Sequence, residues 1–189
     1  MSGSREIELK FLCAPADMAV VLAAAPAGED ETRHLTSVYF DTPDGALARA
    51  GASLRIREWD GCRVQTLKRG KGVSREEHEA PVEFFDPTFG PLPELLSEPQ
   101  RATLTPTLEV RITRRQRLVR YEGAEIELAA DLGEVEAEGR TRPISELELE
   151  LKSGPRKALF ALARELRRAA PLKLSFESKS SQGRALLKS

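Results

Sequence analysis

Acidic and basic side chains recur in this sequence at every second position, sorted by sign. Glu6, Glu8 and Lys10 alternate with Ile7, Leu9 and Phe11; Arg55 and Arg57 flank Ile56; Glu146, Glu148 and Glu150 alternate with Leu147, Leu149 and Leu151. In an extended strand, residues two apart share a face and sit about 6.6 Å from each other. Like charges at that spacing repel, whereas a face meant only for water interleaves its signs freely. The bland reading, a sheet surface with its polar side in solvent, fits any one of these segments. It fits the set less well, because Lys68 ends another alternating segment and Asp131 ends an acidic run from Glu127. Clustered carboxylates suit hard divalent cations that take oxygen ligands, Mg²⁺ or Mn²⁺. Clustered Arg and Lys suit phosphate oxygens, which Arg grips bidentately. Both together point to a polyphosphate carrying a bound metal, its charge shared between ion and side chains.

Strands must carry these residues. Period-two alternation predicts strands over 5–11, 53–57, 63–68, 75–83, 108–119, 124–131 and 146–151, with hairpin turns at Asp60-Gly61 and Glu122-Gly123. Helical patterns are few. Residues 15–25 are Ala-rich, 44–50 allow one or two turns, and 155–170 place Leu159, Leu162, Ala163 and Leu166 on one stripe between Pro155 in the first turn and Pro171 as the stop. Five prolines across 86–106, among them Pro91 and Pro93, predict a loop with a short helix around Leu95. The sum is one α+β domain over residues 1–189. Rolling the strands into a barrel would turn the charged faces inward, put the apolar faces under covering helices, and remove exposed edges.

Composition narrows the classes further. The chain has 189 residues, 29 Lys plus Arg against 30 Asp plus Glu, and 40% apolar residues, enough for a core but not the balance of a simple basic nucleic-acid binder. Its longest apolar stretch, 18–27, falls short of the ~20 residues of a spanning helix, and the first residues carry no signal-peptide pattern. These point to a cytoplasmic protein with no membrane and no nucleic-acid partner. Cys13 and Cys62 have neither metal-site spacing nor the density of a disulfide framework. His34 and His78 are isolated, and Trp59 beside its turn reads as packing or a strand-end cap.

Several of these segments, taken in order, are similar to the CYTH superfamily, also called triphosphate tunnel metalloenzymes. They are Glu6-Ile7-Glu8-Leu9-Lys10 (the E-x-E-x-K signature), Tyr39-Phe40-Asp41-Thr42-Pro43-Asp44, Leu54-Arg55-Ile56-Arg57, Thr66-Leu67-Lys68, the run from Ile126 to Gly133, Pro143-Ile144-Ser145 with the ladder that follows, and Ser178-Lys179. Their style looks most like the bacterial inorganic triphosphatase branch, whose members often carry a helical CHAD domain that these residues do not contain. The resemblance implies a closed antiparallel eight-stranded β-barrel with a few covering helices, and metal-dependent hydrolysis of tripolyphosphate to pyrophosphate and phosphate. By position, Lys10, Arg55, Arg57, Lys68 and Lys179 would grip the phosphates, with Arg111 or Arg114 adding another guanidinium. Glu6, Glu8, Glu148 and Glu150 would hold Mg²⁺ or Mn²⁺. Glu6, Glu77 (or Glu79) and Asp131 complete the acidic catalytic set, and Glu146 ranks below its neighbours. Gln182 stands where the family has Arg, with Arg184 two positions later.

The same tunnel serves organic triphosphates, so class IV adenylate cyclase and thiamine triphosphatase are alternatives. A non-catalytic polyphosphate-binding module is a third.

Overall fold

The computed structural model describes residues 4–70, 74–88 and 95–187; Met1–Gly3 of the expected leaderless start and Pro91 and Pro93 of the expected loop lie outside them. Nine strands and five helices follow in the order β1 (Ser4–Leu12), α1 (Pro15–Ala24), β2 (Asp30–Asp41), α2 (Ala46–Arg49), β3 (Ala52–Trp59), β4 (Cys62–Arg69), β5 (Ser74–Pro81), α3 (Glu98–Arg101), β6 (Thr105–Tyr121), β7 (Ala124–Ala137), β8 (Arg140–Ser153), α4 (Arg156–Ala169), β9 (Lys173–Ser175) and α5 (Lys179–Leu186). This is the antiparallel, sheet-dominated α+β fold with few helices that the alternation predicts. The strand order is β5-β4-β3-β2-β6-β7-β8-β1-β9, with β5 also paired to β1.

The eight-stranded closed barrel is corrected in detail. The described residues form nine strands, and the free edge of β1 is shared: β5 takes Ser4–Ile7 and β9 takes Lys10–Leu12. The β5–β1 seam covers only the first half of β1, so hydrogen bonds do not close the sheet over its full height.

Alternation sorts the two faces as the sequence demands. On the outer face, Leu9, Phe11, Ile126, Leu128, Leu147 and Leu149 pack beneath Val21 and Leu22 of α1 and Leu159, Leu162 and Leu166 of α4. Each such fully buried side chain contributes roughly 1.5–3 kcal/mol. A second outer cluster joins Phe40, Leu54, Ile56 and Leu67 to Leu47 of α2 and to Leu96. The short helix of the Pro-rich segment starts at Glu98, three residues later than Leu95, with Ser97 and Gln100 forming its capping box.

The Tyr39–Asp44 segment earns its residues locally. Asp41 accepts backbone N–H groups from Thr42 (2.8 Å), Leu47 (2.9 Å) and Ala48 (3.1 Å), while Thr42 Oγ1 accepts that of Ala46 (2.8 Å). These bonds satisfy the orphan donors at the start of α2 and fix the exit from β2.

The C-terminal segment is helical, not extended. Packing of α5 against β6, β7 and β8 fills one end of the sheet's inner face. Leu35, Leu108, Val110, Ile112 and Val135 form the apolar floor there, with Leu186 and Leu187 packed against it. A Cβ at Gly183 would stand 2.6 Å from Leu108 Cδ2 and 2.9 Å from Val135 Cγ2, so any larger residue there would have to push these buried side chains aside.

Candidate active site

Register assembles the site before any long-range contact is considered. Lys10 lies opposite Glu148 and Glu8 opposite Glu150 across β1 and β8. Glu150 then faces Glu127, and Asp131 faces both Glu146 and Arg114. On the other wall Lys68 pairs with Glu77 and Ser53, and Arg55 with Tyr39. All these positions share the inner face, around a cavity of about 610 Å³.

The structure brings together most of the residues singled out from sequence. Glu6, Glu8, Lys10, Arg55, Arg57 and Lys68 line the cavity, as do Glu77, Glu79, Arg114, Glu148, Glu150 and Lys179. Of the two candidate arginines, Arg114 faces inward. Arg111 is three residues away and therefore on the opposite face; it is exposed and pairs with Glu109 at 2.5 Å. Asp131 is also outside the lining. Completely buried, it holds Arg114 and Lys179, each at 2.7 Å. Glu146, on the same inner face, is buried beneath Lys179 and Gln182 of α5. Gln182 does not reach the cavity either: its side-chain amide donates to Glu146 Oε1 at 2.5 Å. Arg184 is half-buried and also outside the lining.

Arg33, Tyr39, Glu127, Lys152, Ser178 and Ser180, none of them assigned a site role from the sequence, also line the cavity. Extending the period-two count would have found Lys152 from Glu150 and Glu127 from Asp131. Arg33 stands six residues before Tyr39 on a strand with little hydrophobic alternation.

Most of the charge is already neutralised within the walls. Lys179 Nζ sits between Asp131 (2.7 Å), Glu146 (2.8 Å) and Glu148 (2.8 Å). Arg114 forks onto Asp131 through two bonds of 2.7 Å and reaches Glu148 at 2.6 Å. Lys10 approaches Glu148 at 3.2 Å, and Lys68 holds Glu6 at 2.9 Å and Glu77 at 3.3 Å. Burial would raise the Glu148 carboxyl, but Lys179, Lys10 and Arg114 together hold it well below the ordinary range. Lys68 does the same for Glu6, against burial.

Two places are not balanced. Arg55 and Arg57, neighbours on one strand face, have no carboxylate within ion-pair distance among the described residues; Arg57 Nε donates only to Ser37 Oγ (3.0 Å), and Arg55 Nε is a buried donor without a partner. Both are walled in yet open toward the cavity. Burial, with Arg55 and Arg114 adding like charge, pushes Arg57 down to about 9. Across the cavity, Glu8 has no ion-pair partner among the described residues, and burial plus the Glu148 charge pushes it up to about 7. Burial also raises Glu77 and Glu150.

The acidic residues can hold a metal, but not all equally. Asp131, Glu146 and Glu148 offer oxygens within 4.8 Å of one another. The Lys179 ammonium already fills that position with three short contacts, and a cation there would have to displace a buried charge. Glu6, Glu8, Glu148 and Glu150 fit better: all face the cavity, all supply the hard oxygen donors such a cation takes, and Glu8 feels Lys10 and Lys68 only from beyond ion-pair distance.

Comparison with known proteins follows the same lines. The family profile described as CYTH domain matches residues 4–183. A Haemophilus influenzae protein named inorganic triphosphatase is 35% identical over 190 residues, covering 95% of this chain and 54% of its own, so the chain spans about half the length of that relative. Among solved structures, a Hippeastrum adenylyl cyclase candidate with a dominant triphosphatase activity superposes with a TM-score of 0.71 at 20% identity, covering 95% of both chains. A Pyrococcus horikoshii protein does so with a TM-score of 0.64 at 22% identity, covering 97% of this chain and 99% of its own. At those identities the structures speak for the fold alone. No helix among the described residues is long and apolar enough to cross a membrane.

Proposed function

Because the chain belongs to the CYTH domain family, we propose that it hydrolyses inorganic triphosphate, tripolyphosphate, to pyrophosphate and phosphate in a metal-dependent reaction within the charged cavity. The observation that carries this reading is the unpaired Arg55–Arg57 couple facing an acidic wall whose Glu8 is equally unpaired. An anion completes the first and a cation the second, and a metal-bound polyphosphate supplies both. The β5–β1 ladder supports reading the sheet as the wall of a tunnel.

Glu6, Glu8, Glu148 and Glu150 would hold the Mg²⁺ or Mn²⁺. When bound, it neutralises phosphate oxygens and orders water. Arg55 and Arg57 take the phosphate oxygens that the wall leaves without counter-charge. Lys10, Lys68, Arg114 and Lys179 add positive charge already fixed by their carboxylate partners, so little reorganisation is needed as negative charge shifts toward the leaving group. Water attacks the terminal phosphorus, the bridging P–O bond breaks, and pyrophosphate departs. Glu77, its carboxyl raised by burial, is placed to take the proton of the attacking water. Glu6 holds Lys68 beside it, and Asp131 acts at one remove by fixing Arg114 and Lys179. A CHAD domain in the native protein, like a cytoplasmic location, stays part of this proposal, and the greater length of the Haemophilus influenzae relative leaves room for such a domain.

Phosphate release from tripolyphosphate, with and without Mg²⁺ or Mn²⁺ and beside ATP and pyrophosphate, tests the reading. Metal-dependent cleavage of tripolyphosphate with ATP poorly used supports it. Formation of cyclic AMP and pyrophosphate from ATP would replace it with the cyclase alternative.

A further inference from the structure

We propose that Arg33 is a specificity-determining residue at the open end of the cavity, where it favours substrates that continue as phosphate beyond the third phosphoryl group, such as tetrapolyphosphate. The inference rests on the triphosphate reading of the deeper site.

Strand polarity locates the open end. β2 begins at Asp30, β3 ends at Trp59, β6 ends at Tyr121 and β7 begins at Ala124, and antiparallel pairing brings these termini together, opposite the end filled by α5. Arg57 lies opposite Ser37, so Arg33 stands four residues further toward that end, about 13 Å along the strand. It shares its face with Arg114, its cross-strand partner, and lines the cavity with its side chain 29% exposed. A polyanion seated on Arg55 and Arg57 and growing toward the opening passes Leu35 and Trp59 on this face and then meets this guanidinium.

The side chain is held for such a task. Its Nε donates to Glu31 Oε1 at 2.6 Å, and the other Glu31 oxygen accepts from Gln116 at 3.0 Å. The guanidinium carbon lies 5.7 Å from the centroid of the Trp59 ring, within cation–π range. These two contacts fix the plane of the group. They leave both Nη groups without a hydrogen-bond partner among the described residues. Two parallel N–H donors on a fixed plane match a phosphoryl group. The same placement covers the indole face, so the opening offers a cation where a nucleobase would seek an aromatic surface.

The test uses the full chain and compares tripolyphosphate with tetrapolyphosphate. Kd values come from calorimetry and kcat and KM from phosphate release, for the wild type, Arg33→Ala and Arg33→Lys, with melting temperatures recorded for each. Arg33→Ala is expected to lower the preference for tetrapolyphosphate over tripolyphosphate by at least about tenfold, the effect of losing one charge-assisted contact. The change should appear in Kd and KM more than in kcat, with Arg33→Lys recovering part of it. An unchanged ratio overturns the inference, whether both anions weaken equally or neither does. Should the wild type bind both anions and hydrolyse neither, the hydrolase reading falls, while the ratio of Kd values still decides the role of Arg33. Binding of neither anion overturns both.

Discussion

Lys179 and Arg57 both place a positive charge inside the same cavity, and their surroundings are opposite. Three carboxylates enclose the Lys179 ammonium within 2.8 Å, and its pKa is raised despite burial. Arg57 has a serine hydroxyl, two neighbouring arginines, and a pKa pushed down to about 9. The Lys179 cluster is complete in the folded chain and ties α5 to the wall. The Arg55–Arg57 couple has no carboxylate within ion-pair distance among the described residues, and in the proposed reading an anion completes it. A buried charge that is fully paired acts on the fold, whereas one left unpaired costs stability and is retained for a ligand.

Removing each charge should separate the two roles. The largest effect on the fold is expected from Lys179→Ala, which takes the shared cation from three buried carboxylates and leaves them only Arg114, Lys10 and the Gln182 amide. A loss of about 3–5 kcal/mol is expected in chemical denaturation, together with loss of turnover. A melting temperature near that of the wild type would mean that the cluster relaxes or takes up a cation instead.

Arg57→Ala should do the reverse. Phosphate release is expected to fall by about 10²–10³-fold, the scale for losing a fixed donor to developing charge. Stability should hold or rise, because an uncompensated charge leaves the interior. Equal destabilisation by both substitutions would remove the distinction between the clusters.

Glu8 sharpens the comparison from the acidic side through pH. Its folded pKa of about 7 lies above the ordinary 4.5, so the folded form binds the extra proton. Its contribution to stability is fully present below the unfolded value and is lost as pH rises through about 7. Asp131 and Glu148 are depressed, so theirs is present above the unfolded values and is lost as pH falls through their lower folded values. The metal-free protein should therefore melt highest near about pH 5. Glu8→Gln should flatten the alkaline side of that curve and weaken stabilisation by Mg²⁺ at about pH 8. A melting temperature that rises steadily from pH 5 to 8 in the metal-free wild type would contradict the assignment.

The smallest effect belongs to Arg111→Ala. Its side chain is exposed on the outer face and paired only with Glu109. Stability should change by no more than about 0.5 kcal/mol, and turnover should stay near the wild-type value. A large loss of turnover would return Arg111 to the list of phosphate ligands.

Much of the site was legible because its strands carry their own periodicity. Glu6, Glu8 and Lys10 share a face by parity alone, as do Glu148 and Glu150, and the structure keeps every one of them on the cavity. Helix α4 was equally legible from its stripe of Leu159, Leu162, Ala163 and Leu166. β2 was hard to read. Its residues Thr36, Ser37 and Val38 show no clean alternation, because its inner face passes from the cavity at Arg33 to the apolar floor at Leu35. Helix α5 was missed for a related reason: Ser178-Lys179-Ser180-Ser181 carries no apolar stripe, and what fixes it is Lys179 among three acids, Gly183 against Leu108, and the Gln182–Glu146 bond.

The sequence by itself determined which residues share a strand face and which signs of charge they carry, since side-chain direction along a strand follows from position. The two-sided pattern of apolar and charged residues also determined that one face must be covered and the other hydrated or paired. Only the tertiary structure decided which charges neutralise one another. Ion pairing depends on cross-strand register and on the lysine delivered by α5, neither of which local periodicity records. It turned Arg114 inward and Arg111 outward, buried Asp131 beneath α5 on the inner face, and left Arg55, Arg57 and Glu8 with no ion pair among the described residues. Coulomb energy varies inversely with distance and grows as the local dielectric falls, so which charges are neutralised and which are not follows from distances that exist only once the sheet is assembled.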